Sequence, residues 1–277
     1  MPRAIWSGSV SFGLVNVPVR LFNATSDKDV HFHQLDEKSG SRIRYRKVSE
    51  KTGREVPEER IVSAYELDDG NYVTLTDEEM DAAEPERTHT IDIEDFVALE
   101  EIDPIQVDRT YWLVPEDQQG AKKAYALLRE ALERSERVGI GRFVLRTKEH
   151  LVAIRSLQNA LVVHTMRFGD EVVKASSLDG LPVRSKVGDR ELSAAEKLID
   201  SLATTFDPKR YRDTHRDRLL KVIERKAEGE EIVVEEAPQK EAEVVDLMAA
   251  LEESVKNASK SRSRSRKSGS KKTKKSA

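Results

Sequence analysis

Short runs of alternating apolar and polar residues fill the first third of the chain and predict β-strands. β-Branched and aromatic residues are frequent in these runs, and clusters rich in Asp, Gly, Ser and Asn separate them. Side chains alternate between the two faces of a strand, so each run can place one apolar face against a core. The predicted strands span 15–22, 30–35, 42–48, 72–75 and 90–97.

The middle of the chain combines one clear helix with further strands. Over 121–135, apolar and small residues recur at the three-and-four spacing of one helix face. A Thr-x-x-Glu capping box at Thr76 predicts that a short helix begins there, earlier in the chain than the helix over 121–135. Many short strands with helices between them indicate an α+β domain built on a β-barrel. Further strands are predicted over 110–114, 142–146, 151–157 and 160–168, with Lys148–His150 connecting the second to the third.

The last third reads as helical and then polar. A second capping box at Ser193 starts one helix, and Asp207-Pro208 starts another that could run to Gly229. Beyond it the sequence predicts an acid-rich linker, a short amphipathic segment with an apolar stripe, and a disordered tail of Ser, Lys and Arg. The predicted divisions are a core over 1–228, the linker over 229–243, the amphipathic segment over 244–258 and the tail over 259–277.

The composition excludes several classes of site. The chain has no cysteine, which excludes disulfides, thiol nucleophiles and cysteine-based metal sites. Gly139-Ile-Gly141 lacks the third glycine of a dinucleotide fingerprint and follows a helix, and His31 and His33 have no matching ligand motif. We therefore expect no cofactor and no metal. No apolar run approaches a membrane span and no secretory leader opens the chain, so a cytoplasmic, nucleoid-associated location is expected.

Charge is distributed very unevenly along the 277 residues. The chain carries 47 Lys and Arg against 51 Asp and Glu, a net charge of −4. Ten of the cations lie in 256–277, where there is no acidic residue, so the preceding 255 residues carry 37 cations and 51 acids. A core this acidic cannot bind nucleic acid by bulk attraction. If it binds, its positive charge must be concentrated in one shaped place.

The strongest candidate for such a place is the stretch Arg42–Val48, which reads Arg-Ile-Arg-Tyr-Arg-Lys-Val. On a strand, Arg42, Arg44 and Arg46 would point outward together while Ile43 and Tyr45 point to a core. Successive outward arginines would lie about 6.6 Å apart, close to the spacing of phosphates along one nucleic-acid strand. The alternative is an ordinary solvated strand face, which is common and which the stretch by itself favours.

Two further sets of charged residues leave alternatives open. Basic residues around 142–155 could join the Arg42 stretch in space or face elsewhere. Asp92, Glu94 and Asp95 could mimic a metal-dependent nuclease cluster, but their alternation with Ile91 and Ile93 fits the solvent face of an edge strand more simply. No motif argues for catalysis, so the chain is not expected to be an enzyme.

Several motifs resemble the bacterial Ku proteins of non-homologous end joining. The opening Met1–Val19, the Arg42–Val48 stretch and Phe206-Asp-Pro-Lys-Arg-Tyr211 all carry the resemblance, which spans about 1–228. It also covers Phe32-His-Gln-Leu35, Glu101-Ile-Asp-Pro104, Phe143-Val-Leu-Arg146 and His164-Thr-Met-Arg-Phe168. Many members carry a Cys-x-x-Cys pair just after the arginine run, where this chain reads Val48-Ser-Glu-Lys-Thr-Gly-Arg54, so no metal site is carried over.

The resemblance implies a homodimer whose β-barrel-based cores form a ring threaded by the end of a DNA duplex. It also implies a C-terminal helical arm and recruitment of the multifunctional ATP-dependent DNA ligase of bacterial end joining. An acidic exterior with arginines lining a channel would repel bulk DNA and still accept a threaded end. The absence of a base-reading motif also fits, because breaks occur at any sequence.

The expected function is therefore sequence-independent binding of double-stranded DNA ends and recruitment of that ligase in double-strand break repair. The alternatives are a chromatin-like protein that binds DNA through its basic tail, and a metal-dependent nuclease. The residues expected to contact DNA are Arg42, Arg44, Arg46, Lys47, Arg142, Arg146, Lys148, Arg155, Lys260, Arg262, Arg264, Arg266, Lys267, Lys271, Lys272, Lys274 and Lys275. The residues expected to dock the ligase are Val244, Leu247, Met248 and Leu251.

Overall fold

A computed structural model describes residues 3–83, 89–182 and 187–230, together with 250, 253 and 254. The chain divides into two units, Met1–Ser177 and Leu178–Ala277, and the division falls within the core predicted over 1–228. The helices and strands of the described residues are, in chain order, β1 (Trp6–Phe12), β2 (Val15–Asn23), β3 (Ser63–Glu66), β4 (Tyr72–Leu75), α1 (Asp77–Ala83), β5 (Thr90–Ala98), β6 (Val107–Pro115), α2 (Gln119–Ser135), β7 (Arg137–Leu145), β8 (Lys148–Leu157), β9 (Ala160–Met166), α3 (Asp189–Leu202) and α4 (Thr214–Ala227).

Seven strands of the first unit close into a barrel in the order β1-β2-β6-β9-β8-β7-β5. Neighbours pair antiparallel except β1 and β5, which pair parallel with Val10 opposite Ile91. A parallel pair requires a long connection, and after the β1–β2 hairpin the chain between β2 and β5 provides it. Because the barrel is closed, β5 has a partner on both sides. The expectation that Asp92, Glu94 and Asp95 occupy an edge strand is therefore wrong.

Alternation along the strands builds the core of the barrel. Val17, Val19 and Leu21 of β2 are fully buried, while the residues between them are partly exposed. The apolar face of α2 joins the same core, and the Tyr125 hydroxyl donates to the Leu113 carbonyl (2.8 Å) and accepts from the Leu161 N–H (2.7 Å). This buried pair of hydrogen bonds links α2 to both β6 and β9.

Most of the predicted strands are confirmed. The predictions over 15–22, 72–75, 90–97, 110–114 and 151–157 fall within observed strands, and 121–135 falls on α2. The predictions over 142–146 and 160–168 overlap β7 and β9 but run past the ends of these strands at Leu145 and Met166. The capping box at Thr76 is also confirmed, since its hydroxyl accepts from the Glu79 N–H at 3.2 Å and the Glu79 carboxylate accepts from the Thr76 N–H at 2.9 Å. Two strands, β1 and β3, were missed. The prediction of a strand over 30–35 is wrong, because only Leu35 pairs there, in an isolated bridge to Arg42.

The second unit differs from the sequence prediction at both helix starts. Helix α3 begins at Asp189 after Gly188, whose N–H donates to the Glu191 carboxylate, so the capping box predicted at Ser193 is wrong. The helix predicted from Asp207 to Gly229 is interrupted: a 3-10 turn ends near Arg210 and α4 starts afresh at Thr214. Among the described residues of this unit none is buried, and no described helix of the chain is long and apolar enough to cross a membrane.

Candidate nucleic-acid interface

The Arg42–Val48 stretch, called the arginine segment below, is not a strand. Arg42 and Val48 each form one isolated bridge, and the residues between them pair with no strand. Tyr45 is 84% exposed and Ile43 is 46% exposed, so the expectation that both point into a core is wrong. Tyr45 instead donates its hydroxyl proton to the Gln34 side chain. The whole segment is exposed, and its cations are accessible to a polyanion.

The four cations of the arginine segment fall into two classes. The Arg46 Nη1 lies 2.9 Å from Glu55 Oε2, and the Lys47 Nζ lies 2.7 Å from Glu58 Oε1. Arg42 and Arg44 form no ion pair with any described residue. A cation that already has a carboxylate neighbour brings a negative charge close to any incoming phosphate. Arg42 and Arg44 are therefore the cations of the segment whose charge no carboxylate of the described residues neutralises.

Two turns of the same design flank the arginine segment. In the first, the Gly40 N–H donates to the Asp36 carbonyl at 2.8 Å; in the second, the Gly53 N–H donates to the Ser49 carbonyl at 2.8 Å. Both glycines have φ near +65°, which favours glycine at these positions. The turn-prone clusters at 36–41 and 51–53 predicted both turns, and each cluster carries the same Glu-Lys-Ser/Thr-Gly, at 37–40 and 50–53. Backbone hydrogen bonds close one turn at each end of the segment.

Arg142 lies on the outer face of the barrel between two carboxylates. Its Nε lies 3.4 Å from Glu94 Oε1 and its Nη1 lies 3.6 Å from Glu149 Oε2. Glu94 lies at a break in the β5–β7 register between Ile93 and Asp95, which brings its side chain to Arg142. The surplus of negative charge around Arg142 makes it a weak candidate for binding a phosphate.

Arg146 and Lys148 lie together at one end of the barrel. The β7–β8 turn consists of Arg146 and Thr147, and Leu145 pairs with Lys148, so the predicted connection over Lys148–His150 is wrong: those residues belong to β8. Both side chains are exposed, and they line one cavity with Arg109 of β6. Sequence reasoning missed Arg109, because the pairing of β6 with β2 and β9 places it at this end of the barrel and a single sequence does not specify that pairing.

Arg155 is separated from that group. It lies seven residues beyond Lys148 on β8, about 23 Å along the strand, and lines a different cavity. Its Nε donates to His164 Nε2 at 3.0 Å, and His164 Nδ1 then donates to the Thr110 hydroxyl at 2.9 Å. Burial, and next the Arg155 charge, lower the pKa of His164, so its imidazole is neutral at pH 7. Arg155 is half-buried and committed to this hydrogen bond.

The remaining predicted site residues lie outside the described part of the chain. They comprise the ligase-docking stripe at Val244, Leu247, Met248 and Leu251 and the cations of the tail at Lys260, Arg262, Arg264, Arg266, Lys267, Lys271, Lys272, Lys274 and Lys275.

Large apolar side chains are exposed on the second unit. Phe206 and Tyr211 are 74% and 66% exposed and stack on each other with ring centroids 5.7 Å apart. On α3, Ile199 and Leu202 are likewise exposed. Amphipathic helices of this kind, with none of their described residues buried, require a partner surface for their apolar faces.

Comparison with known proteins identifies the family. Residues 11–194 match the family model described as Ku, the Ku70/Ku80 beta-barrel domain. The chain belongs to the Ku family. It is 45% identical over 256 residues to the non-homologous end joining protein Ku of Anaeromyxobacter sp. (strain K), covering 92% of this chain and 86% of that protein. The same-named proteins of Heliobacterium modesticaldum and Bacillus subtilis (strain 168) are 44% identical over 255 residues and 40% identical over 256. Coverage is 91% of this chain in both cases, and 91% and 81% of the two relatives.

Family membership confirms the resemblance seen in the motifs. The chain is a Ku-family protein of non-homologous end joining, and this membership implies binding of DNA ends. It also confirms the expectation that the chain is a scaffold and not an enzyme, so the nuclease alternative is set aside.

Proposed function

We propose that this protein is a homodimeric ring that binds double-stranded DNA ends without regard to sequence and recruits the end-joining ligase. The observation that carries the proposal is the exposure of Arg42 and Arg44, unpaired within the described residues, on a chain whose first 255 residues are strongly acidic. Positive charge concentrated on one exposed segment attracts a duplex to one place, while the rest of the surface repels it.

A second copy of the chain is the proposed partner for the exposed apolar surface. The described residues of α3 and α4 include none that is buried, although both helices are amphipathic. The hairpin of β3 and β4 is exposed throughout as well, including Tyr65 and Tyr72. An isologous contact between two copies would cover such faces on both subunits at once. Two copies would also bring two arginine segments around one duplex.

A comparison of linear with closed circular DNA tests the proposed function. The full-length protein is expected to prefer a linear fragment to a relaxed circle of the same sequence in a competition shift assay, because only the fragment offers an end to thread. Equal binding to both forms would contradict the ring and favour the chromatin-like alternative, in which the tail binds the duplex from the side.

The basic tail is proposed to add DNA affinity that depends on salt concentration and does not require a DNA end. Removing 256–277 takes away ten cations, so the slope of log K against log salt is expected to flatten by at most about 9. The truncated protein should keep its preference for linear over circular DNA, since the arginine segment is untouched. Loss of that preference, with core binding retained, would make the tail the end sensor instead.

The amphipathic stripe at Val244, Leu247, Met248 and Leu251 is proposed to dock the ligase as a helix in a groove. Replacing Leu247 and Leu251 by Asp should abolish stimulation of the ligase, because two buried apolar anchors become charges. DNA affinity should not change, which a shift assay on the same variant checks. Full stimulation of the ligase by the variant would rule out docking, and would favour packing of the stripe on the protein itself.

A further inference from the structure

A cavity of about 420 Å³ opens at the end of the barrel beside the β7–β8 turn. Its lining combines three cations, Arg109, Arg146 and Lys148, with an apolar wall that includes Ile5 and Leu145. The volume is that of a small-molecule site. A cavity lined by both cations and apolar side chains suits an amphipathic anion.

Positive charge exceeds negative charge in this cavity. Arg146 and Lys148 form no ion pair with any described residue. The one carboxylate of the lining, Asp108, lies 3.9 Å from Arg109 and 3.6 Å from Arg167. His150 adds a neutral imidazole at pH 7, since burial and the nearby Lys148 charge lower its pKa. The cavity therefore holds two cations with no carboxylate of their own, in a chain that is otherwise acidic.

The backbone at Arg146 has a conformation that favours glycine. Arg146 has φ +63° at the first position of a two-residue hairpin turn. Glycine, asparagine and aspartate suit such a position, whereas arginine is strained there. The turn would be more stable with glycine, so the stability of the fold does not explain an arginine at this position. The strained turn keeps Arg146 in the lining of the cavity.

We propose that this cavity binds a nucleoside 5′-phosphate. The guanidiniums of Arg146 and Arg109 and the ammonium of Lys148 would hold the phosphate dianion, since a guanidinium can bind two phosphate oxygens at once. Ile5, which is 42% exposed, and Leu145 would pack against the sugar or base. The ligand is either a free mononucleotide or the 5′-phosphorylated terminal nucleotide of a DNA end, because both present the same group.

Calorimetric titration of the full-length protein at low salt tests the site. Deoxyadenosine 5′-monophosphate is expected to bind saturably and deoxyadenosine not at all. Arg146→Gly should lower the affinity for deoxyadenosine 5′-monophosphate by about tenfold or more, since a charge-assisted contact is lost. The same variant should unfold at the same or a higher temperature, because the turn is relieved, so a loss of binding cannot be a loss of fold. Arg137→Gln, which removes one exposed cation from the opposite end of β7, is the matched control and should bind normally.

Two duplexes that differ only in their 5′ ends separate the two sources of the ligand. If the terminal nucleotide is bound, a 5′-phosphorylated blunt duplex will bind more tightly than its 5′-hydroxyl counterpart, and Arg146→Gly will remove the difference. If a free nucleotide is bound, the two duplexes will bind equally and deoxyadenosine 5′-monophosphate will still titrate. Equal affinity for inorganic phosphate and nucleotide, or equal losses of affinity in the Arg146→Gly and Arg137→Gln variants, would overturn the proposal.

Discussion

Charge reversal at Arg42 and Arg44 together (R42E/R44E) is expected to weaken binding to linear duplex DNA by a factor on the order of 100 or more. Both guanidiniums are exposed and unpaired within the described residues, so each can be fully engaged by phosphate. In a homodimer the double variant replaces four cations by four carboxylates, and each carboxylate repels the duplex. Fluorescence anisotropy with an end-labelled duplex measures the loss.

Two controls separate this effect from general electrostatics and from misfolding. Lys123→Glu with Arg134→Glu makes the same change of net charge on exposed residues of α2 and should change the affinity far less. Neither Arg42 nor Arg44 contributes a buried side chain, so R42E/R44E should unfold at the wild-type temperature. Neutral replacement by glutamine should flatten the salt dependence by about 1.8 per protomer, the value for two lost phosphate contacts.

The same variants also rank the cations of the arginine segment. Arg46→Gln and Lys47→Gln should lower the affinity for duplex DNA less than Arg42→Gln and Arg44→Gln do. Each removes a cation that Glu55 or Glu58 already neutralises in part. Wild-type affinity in R42E/R44E, with the dimer intact, would remove the arginine segment from the DNA interface. The Ku-family assignment would stand in that case, because it rests on the barrel and the relatives.

Most strands of the barrel could be predicted from the sequence because their apolar residues follow a local pattern. Apolar residues alternate along β2, and the three-and-four spacing of α2 marks the face that packs on the barrel. Strand β1 was missed because Trp6–Phe12 contains three serines and a glycine, so its apolar face shows only at Trp6, Val10 and Phe12. Its strand conformation comes from pairing with β2 and β5, which is not local information.

For the arginine segment the sequence predicted a strand that does not form, whereas for β1 an observed strand was missed. Its alternation of Arg with Ile and Tyr matches a strand, yet no strand pairs with the residues between its two end bridges and no core covers Ile43 or Tyr45. Alternation is a necessary property of a half-buried strand, but it does not supply the neighbour that buries one face. The inference that the arginines are accessible was correct, although it was drawn from a conformation that the segment does not adopt.

The candidate site was only partly predictable for a related reason. Which cations are free depends on where carboxylates distant in sequence end up, as Glu94 does for Arg142 and Glu55 for Arg46. The meeting of Arg109 with Arg146 depends on barrel closure through β9. Strand order and register decide such contacts, and a single sequence does not specify them.

Closure of the barrel depends on Gly141, and its replacement is the second change with a large expected effect. A Cβ at this position would lie 2.0 Å from the Asp92 carbonyl oxygen and 2.8 Å from the Asp92 carbonyl carbon. Both atoms are backbone of β5, so β5 and β7 would have to move apart. Gly141→Ala is expected to destabilise the fold by about 3 kcal/mol, and Gly141→Val should prevent recovery of folded protein.

Gly120→Ala is the matched control, because Gly120 lies in the first turn of α2 and a Cβ there has no heavy atom within 4 Å. It should leave stability unchanged or raise it by up to about 1 kcal/mol. Denaturant unfolding at one fixed protein concentration compares the variants, because the stability of a dimer varies with concentration. Wild-type stability in Gly141→Ala would mean that β5 and β7 do not approach this closely. The Gly-x-Gly of this chain, set aside as a dinucleotide motif, is thus explained by the seam between β5 and β7: a side chain at its second glycine would collide with the neighbouring strand.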